Sequence, residues 1–408
     1  MANSKIITGL DLGSGTIKIA VGQAYQDELE IIAVIEHPSE GINKGVIVDV
    51  EEVVSSLSAS FEKAERTIGF PINSVNVGIS GTNVLSQESR GVVAISRAEG
   101  EIKREDVRRA LDAAQTIATP PNYEILHVIP KIFKVDNQIG IKDPVGMTGV
   151  RLEVEAQIIL DLSRQIKNLV YCLHRTGLEI ERTIFSALAT AETILDKKQK
   201  DLGVAVLDIG ESTTHLIVYE EGDILTVKIL PIGSRDITSS IAIALRSSIS
   251  VAEMIKVNFG TSDYRKVKKN EQIDLKKFDE GLEGQFTQQF LAKIIHEKCQ
   301  EIFKMADKEL ATISKSRKLP AGVILVGGGS KLLGLVETAK DALKLPIFLG
   351  KAKGFSSELK EALDPKFATA IGLIILAKEE KDHFGASIRD GRGIFSIIKK
   401  WFKNLLPY

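Results

Sequence analysis

The sequence predicts an α/β protein of two related halves, and two stretches carry that prediction. The first is TGLDLGSGTIKIAVG at residues 8–22. An apolar run ends at Asp11, small residues turn the chain (Gly13, Ser14, Gly15, Thr16), and Ile17, Ile19 and Val21 then alternate. That pattern is strand, tight turn, strand. The second is AVLDIGESTTHLIVY at residues 205–219, where Asp208 matches Asp11, Gly210 matches Gly13 and Thr213 matches Thr16, an offset of 197 residues (208 minus 11). A repeat at nearly half of a 408-residue chain points to two domains, each offering an aspartate-bearing hairpin to a shared cleft. The turns are too short to open a helix, which excludes a P-loop and a dinucleotide fingerprint. Glycines there let backbone N–H groups face an anion such as phosphate. A carboxylate beside phosphates acts through a divalent cation and its waters.

Composition narrows the class. The chain is 44% hydrophobic and 26% charged with a formal net charge of −1, so it is globular and gives no electrostatic argument for nucleic acid. Cys172 and Cys299 stand far apart in no ligand-like spacing, which suits buried thiols in a reducing compartment. The six histidines form no metal motif. The opening MANSKIITGLDLG enters a strand at once, leaving no room for a signal peptide. No uninterrupted apolar run reaches the roughly 18 residues of a bilayer span.

In order along the chain, residues 28–36 continue the first sheet, Val50–Ile68 has helical spacing ended by Gly69 and Pro71, and Ser74–Ile79 is a further strand. From about 84 to 161 strand-like pieces (GVVAIS, EILHVIPKIFKV, VRLEVEAQIIL) surround one helix, Arg104–Thr119, with Val107, Leu111, Ala114 and Ile117 on its apolar face. This reads as an inserted α+β interaction module, since it lacks convergent histidines, cysteines or paired acids. A helix over 164–177, a strand and small-residue helix over 180–195, and the second hairpin come next. Residues 232–260 read as helical, 261–280 as a charged loop or solvated hairpin, and 284–318 as one long helix. The buried strand at 321–326 runs into Gly327, Gly328, Gly329 and Ser330, with a helix expected from about Lys331, and 365–377 is a small-residue helix.

With both hairpins, the helices at 184–195 and 365–377, and the GGGS turn in this order, the chain resembles the actin/Hsp70/sugar-kinase ATPase superfamily. Residues 91–95 (GVVAI), 124–130 (EILHVIP), 140–152 (GIKDPVGMTGVRL) and 184–189 (IFSALA) look like the bacterial cell-division family FtsA, and the resemblance covers essentially the whole chain. It implies an actin-like two-domain ATPase fold of duplicated ribonuclease H-like domains with an inserted α+β subdomain. The implied boundaries are 1–83 with 162–198 for the first core subdomain, 84–161 for the insertion, 199–232 with 305–377 for the second core subdomain, and 233–304 for a partner-binding subdomain. The implied cofactors are ATP and Mg. Asp11 and Asp208 would face the water shell of the Mg ion. Gly13, Ser14, Gly15, Thr16 and Lys18 would hold one side of the phosphates, and Gly210, Ser212 and Thr213 the other. Glu253, Lys256, Gly327, Gly328, Gly329 and Ser330 would contact the adenosine. Two departures stand out: Ser212 replaces a frequent glycine, and residues 183–187 (TIFSA) lack the Glu or Gln that orients attacking water in active ATPases of this fold. An ATP-binding scaffold with at most weak ATPase activity is therefore expected, with no catalytic residue.

After Ala377, residues 378–393 are polar and read as a flexible linker. Residues 394–408 then change character. On a helix, Ile394, Ile397, Ile398, Trp401, Phe402, Leu405 and Leu406, with Phe395 beside them, form an apolar face, and Lys399, Lys400 and Lys403 a cationic one. A tethered cationic helix of this kind suits an in-plane membrane anchor worth about 5–6 kcal/mol, a dissociation constant of roughly 0.1 mM. One such anchor is marginal, so polymerisation would raise the effective affinity. By resemblance the partners are the C-terminal peptide of the tubulin-like protein FtsZ, other copies of the chain in filaments, membrane lipid and other division proteins. Lys293, Lys298 and Lys304 are candidates for a carboxylate-ended peptide. The implied place is the cytoplasmic face of the cell membrane at the division site. The competing readings are an actin-like scaffold of type IV pilus assembly and a small-molecule kinase of the same superfamily.

Overall fold

The structure is a computed structural model describing residues 5–25, 28–96, 99–268, 271–280 and 283–378. The described chain forms two compact units, one of residues 5–86 with 161–378 and the other of residues 87–160.

The larger unit contains the same sheet twice. The first has the strand order Glu179–Phe185, Ser74–Ile79, Lys5–Leu12, Thr16–Tyr25, Glu28–Pro38. The second runs Ile347–Leu349, Val323–Val326, Val204–Ile209, Thr214–Glu220, Asp223–Leu230. In both, three successive strands form an antiparallel meander and two further strands add in parallel to the opening one. Parallel neighbours need a crossover, and helix Val50–Ile68 belongs to the first. It is set by its sequence: the Asp49 carboxylate accepts from Glu52 N at 3.1 Å, Val53, Leu57, Phe61 and Ala64 recur at helical spacing on the buried face, and Gly69 closes the end at φ 81°.

Two helices, Ser186–Ile194 and Ala368–Lys378, cross in backbone contact. A side chain on Gly372 would overlap the Ala189 carbonyl, and one on Gly9 would overlap the Ala370 carbonyl. Small residues let the helices come that close, and residues 368–377 are accordingly buried on every side.

Three helix boundaries differ from expectation. The helical stretch 232–260 is two helices, Ser234–Leu245 and Ile249–Phe259; Arg246 turns left-handed at φ 52° and Ser248 caps the second by accepting from Val251 N at 3.3 Å. The stretch 284–318 is shorter as a helix, Gln288–Thr312, because Gln285–Thr287 pairs as a strand with Gln272–Asp274 and Thr287 caps the helix that begins beside it. At its other end Ser314 and Arg317 take φ 58° and 59°, which no helix continues through. After the glycine triplet comes a short 3₁₀ turn, Gly328–Lys331, and the α-helix waits until Leu335–Leu343, beyond Gly334 at φ 76°.

The smaller unit has the sheet order Leu85–Ala94, Arg151–Leu162, Tyr123–Val135, Gln138–Ile141, with helix Arg104–Ala118. Its core joins Ile102, Leu111 and Ala114 to Leu152, Val154 and Ile158. Gly91 permits the helix to rest on the sheet, since a side chain there would overlap the Ala110 carbonyl.

Among the described residues no helix is long and apolar enough to cross a membrane. The anticipated linker and amphipathic helix, with Ile394, Phe395, Ile398, Lys399, Lys400, Trp401, Phe402, Lys403, Leu405 and Leu406, lie outside the described residues.

Candidate functional site

The two hairpin turns of the larger unit open onto one cleft. Asp11, Gly13, Ser14, Gly15, Thr16 and Lys18 line it from the first hairpin, and Asp208, Gly210, Ser212 and Thr213 from the second. The turns are matched in detail. Asp11 pairs across the ladder with Lys18, and Asp208 with His215. A Cβ on Gly13 would stand 2.7 Å from the Thr16 carbonyl, and one on Gly210 2.9 Å from that of Thr213. Each turn therefore needs a glycine at its first position for the same steric reason.

Both aspartates are held. Lys18 Nζ lies 3.8 Å from Asp11 Oδ2. Asp208 Oδ2 accepts from Thr190 Oγ1 and Thr369 Oγ1, each at 3.3 Å, and those hydroxyls stand 2.8 Å apart. The two crossing helices thus grip the second aspartate. Gly327, at φ 82°, leaves room for the other oxygen, since a side chain there would overlap Oδ1. Burial raises the pKa of Asp11 above its ordinary value, with Lys18 opposing and Asp208 adding to the shift. Burial likewise lowers that of His215, against the pull of Asp208 and Asp11. An imidazole so placed is neutral at pH 7.

Among the described residues seven buried side-chain atoms have no hydrogen-bond partner, and four of them belong to residues lining this cleft: Ser186 Oγ, Glu211 Oε2, Ser212 Oγ and His215 Nδ1. Unsatisfied buried polar atoms are rare, and their concentration at one place fits a polar ligand. Glycine-rich turns suited to an anion, with two carboxylates between them, fit phosphates carried with a divalent cation. Among the described residues no group of three or more acidic, histidine or cysteine side chains could hold a metal unaided. A cation there would accordingly share its ligands with water and phosphate oxygens.

The other expected site residues sort differently. Gly327 and Gly328 reach the cleft. Gly329 packs on Ile209, and Ser330 is buried with its hydroxyl donating to Gly327 O at 2.7 Å, so it closes the turn. Glu253 and Lys256 pair at 2.7 Å on one helix, and Lys256 Nζ also donates to Thr238 Oγ1 at 2.8 Å. Neither lines the phosphate cleft. Lys293, Lys298 and Lys304 do not share a face. Lys293 and Lys304 are exposed along one stripe, while Lys298 lies roughly 140° round the helix and binds Glu301 at 2.6 Å. The structure adds Gly45, Ser80, Ser186, Glu211, His215, Lys366 and Thr369 to the cleft. Glu211 and His215 had a signal in the sequence, since they repeat the positions of Ser14 and Lys18 at the same offset of 197 (211 minus 14, 215 minus 18).

A duplicated sheet pair with an aspartate hairpin on each half is the architecture of the actin-like proteins. Solved structures agree on the fold: the PilM–PilN type IV pilus biogenesis complex matches with a TM-score of 0.67 at 17% identity, covering 91% of this chain and 98% of that one. MreB5 of Spiroplasma citri, bound to ADP, matches at 0.54 with 15% identity, covering 95% and 99%. The family description "SHS2 domain inserted in FTSA" matches residues 81–160, and "Cell division protein FtsA" matches residues 205–372. The cell division protein FtsA of Bacillus subtilis is 37% identical over 377 residues, 92% of this chain and 84% of that protein. The chain belongs to the FtsA family of actin-like cell-division proteins.

Proposed function

We propose that the chain is an ATP-binding scaffold that polymerises and tethers FtsZ, through its C-terminal peptide, to the inner face of the cytoplasmic membrane, where later division proteins join. The observation that carries the nucleotide part is the single cleft between matched aspartate hairpins, ringed by unpartnered polar atoms. In this reading Asp11 and Asp208 face Mg through water, the turn residues hold the phosphates, and Glu253, Lys256 and the 327–330 turn serve the adenosine. The FtsZ peptide docks on the region 233–304, where Lys293 and Lys304 offer exposed charge. Membrane attachment falls to residues 394–408.

The deciding experiment incubates the full chain with Mg-ATP and vesicles containing anionic lipid, reading filaments by electron microscopy and bound protein by co-sedimentation. Filaments on the vesicles are expected. Deleting 394–408, or Trp401→Glu, should remove vesicle binding while ATP binding persists. Unchanged sedimentation would refute the tail's assignment.

Hydrolysis should be slow. At residues 183–187 the side chain reaching the cleft is the Ser186 hydroxyl, which is too weak a base to activate water. Single-turnover cleavage of labelled ATP is expected well below about one per second, the lower range of ordinary enzymes. A faster rate would make this a genuine ATPase.

A further inference from the structure

Glu211, in the second turn, enters the nucleotide reading above only as one of the unpartnered polar groups of the cleft. Its backbone is pinned: the carbonyl accepts from Arg235 N at 2.7 Å, and Gly233 packs so closely that a side chain there would overlap it. The side chain leaves its own hairpin and reaches the other. A methyl group on Gly15 would overlap the Glu211 carboxylate outright, so the acid sits against the bare Cα of the first turn. One oxygen, Oε1, meets Arg235 Nε at 3.1 Å; the other, Oε2, is buried with no partner. A carboxylate thus bridges the two turns that face the cleft.

We propose that Glu211 is a specificity-determining residue of the nucleotide site, an internal anion that a terminal phosphate must displace, so that the site binds a triphosphate less tightly, relative to a diphosphate, than it would without this carboxylate. The inference rests on the nucleotide-binding reading and deepens it. The terminal phosphate reaches furthest from the nucleoside, and hence deepest into the gap between the turns. There it meets the Glu211 carboxylate at short range, where like charges repel most. A diphosphate stops short and feels less of this. The carboxylate has a way out, because Arg235 is half-exposed and can hold it toward solvent. A triphosphate therefore enters, at a cost that the diphosphate avoids. Mg shields the repulsion, so it matters more for the triphosphate.

The test measures ATP and ADP affinity of the full chain by competition with a fluorescent ADP analogue, with and without Mg, for the unaltered protein, Glu211→Gln and Glu211→Gly. The glutamine variant keeps the shape and removes the charge, and a thermal melt confirms folding of each. Both variants should tighten ATP about tenfold and ADP less than about threefold, moving the ATP-to-ADP ratio toward the triphosphate. An unchanged ratio in both variants, with nucleotide still bound, overturns the role of Glu211 and leaves the nucleotide reading standing. No binding of either nucleotide by any of the three proteins overturns both.

Discussion

The Asp208→Asn variant binds Mg-ATP at least about thirtyfold more weakly than the unaltered chain, a loss on the order of 2 kcal/mol. The amide is nearly the same size and can still accept from Thr190 and Thr369, so the crossing helices stay in place. What disappears is the charge that, in the proposed reading, faces the cation. The sign of the effect depends on Mg, which makes the test sharp. With a chelator present, the carboxylate only repels phosphate, and the variant should bind free ATP as well as or better than the original. Titration calorimetry in both conditions reads the two values. Equal weakening with and without Mg would mean that Asp208 serves the packing rather than a cation.

The second large effect concerns stability, and helix propensity and packing predict opposite signs for it. Gly372 lies inside helix Ala368–Lys378, where Gly→Ala ordinarily gains about 1 kcal/mol. Here the new methyl would overlap the Ala189 carbonyl and its carbon, which are backbone atoms and cannot rotate aside. The helices must separate, pulling Thr369 and Thr190 off Asp208 and opening a buried seam. We expect Gly372→Ala to destabilise the chain by about 3 kcal/mol, at the upper end for overpacking. Denaturant unfolding measures it, and a gain in stability would show that the helix contact is loose. The same substitution should also weaken nucleotide binding, because the second aspartate loses the two hydroxyls that fix it.

The elements that the sequence announced were those whose cause is local. Asp49 and Gly69 bracket a helix by capping, and the alternation around Asp11 and Asp208 makes hairpins whatever packs on them. The 197-residue offset declared the duplication, because both copies must satisfy the same turn sterics at Gly13 and Gly210. The boundaries that differ from expectation depend on neighbours. Gln285–Thr287 has no reason to be extended until Gln272–Asp274 comes alongside it. Ser248 is an ordinary helix residue until Arg246 turns left-handed before it.

The sequence by itself thus determined the paired hairpins, their aspartates and the turn glycines. Each comes from the dihedral and hydrogen-bonding needs of a few adjacent residues. Only the tertiary structure decided what meets across the cleft: Thr190 and Thr369 sharing one carboxylate oxygen, and Glu211 lying on the bare face of Gly15. Thr369 stands 161 positions from Asp208, and no period or cap records so distant a partner. A carboxylate's neighbours set its charge and purpose, and they exist only once the chain has folded.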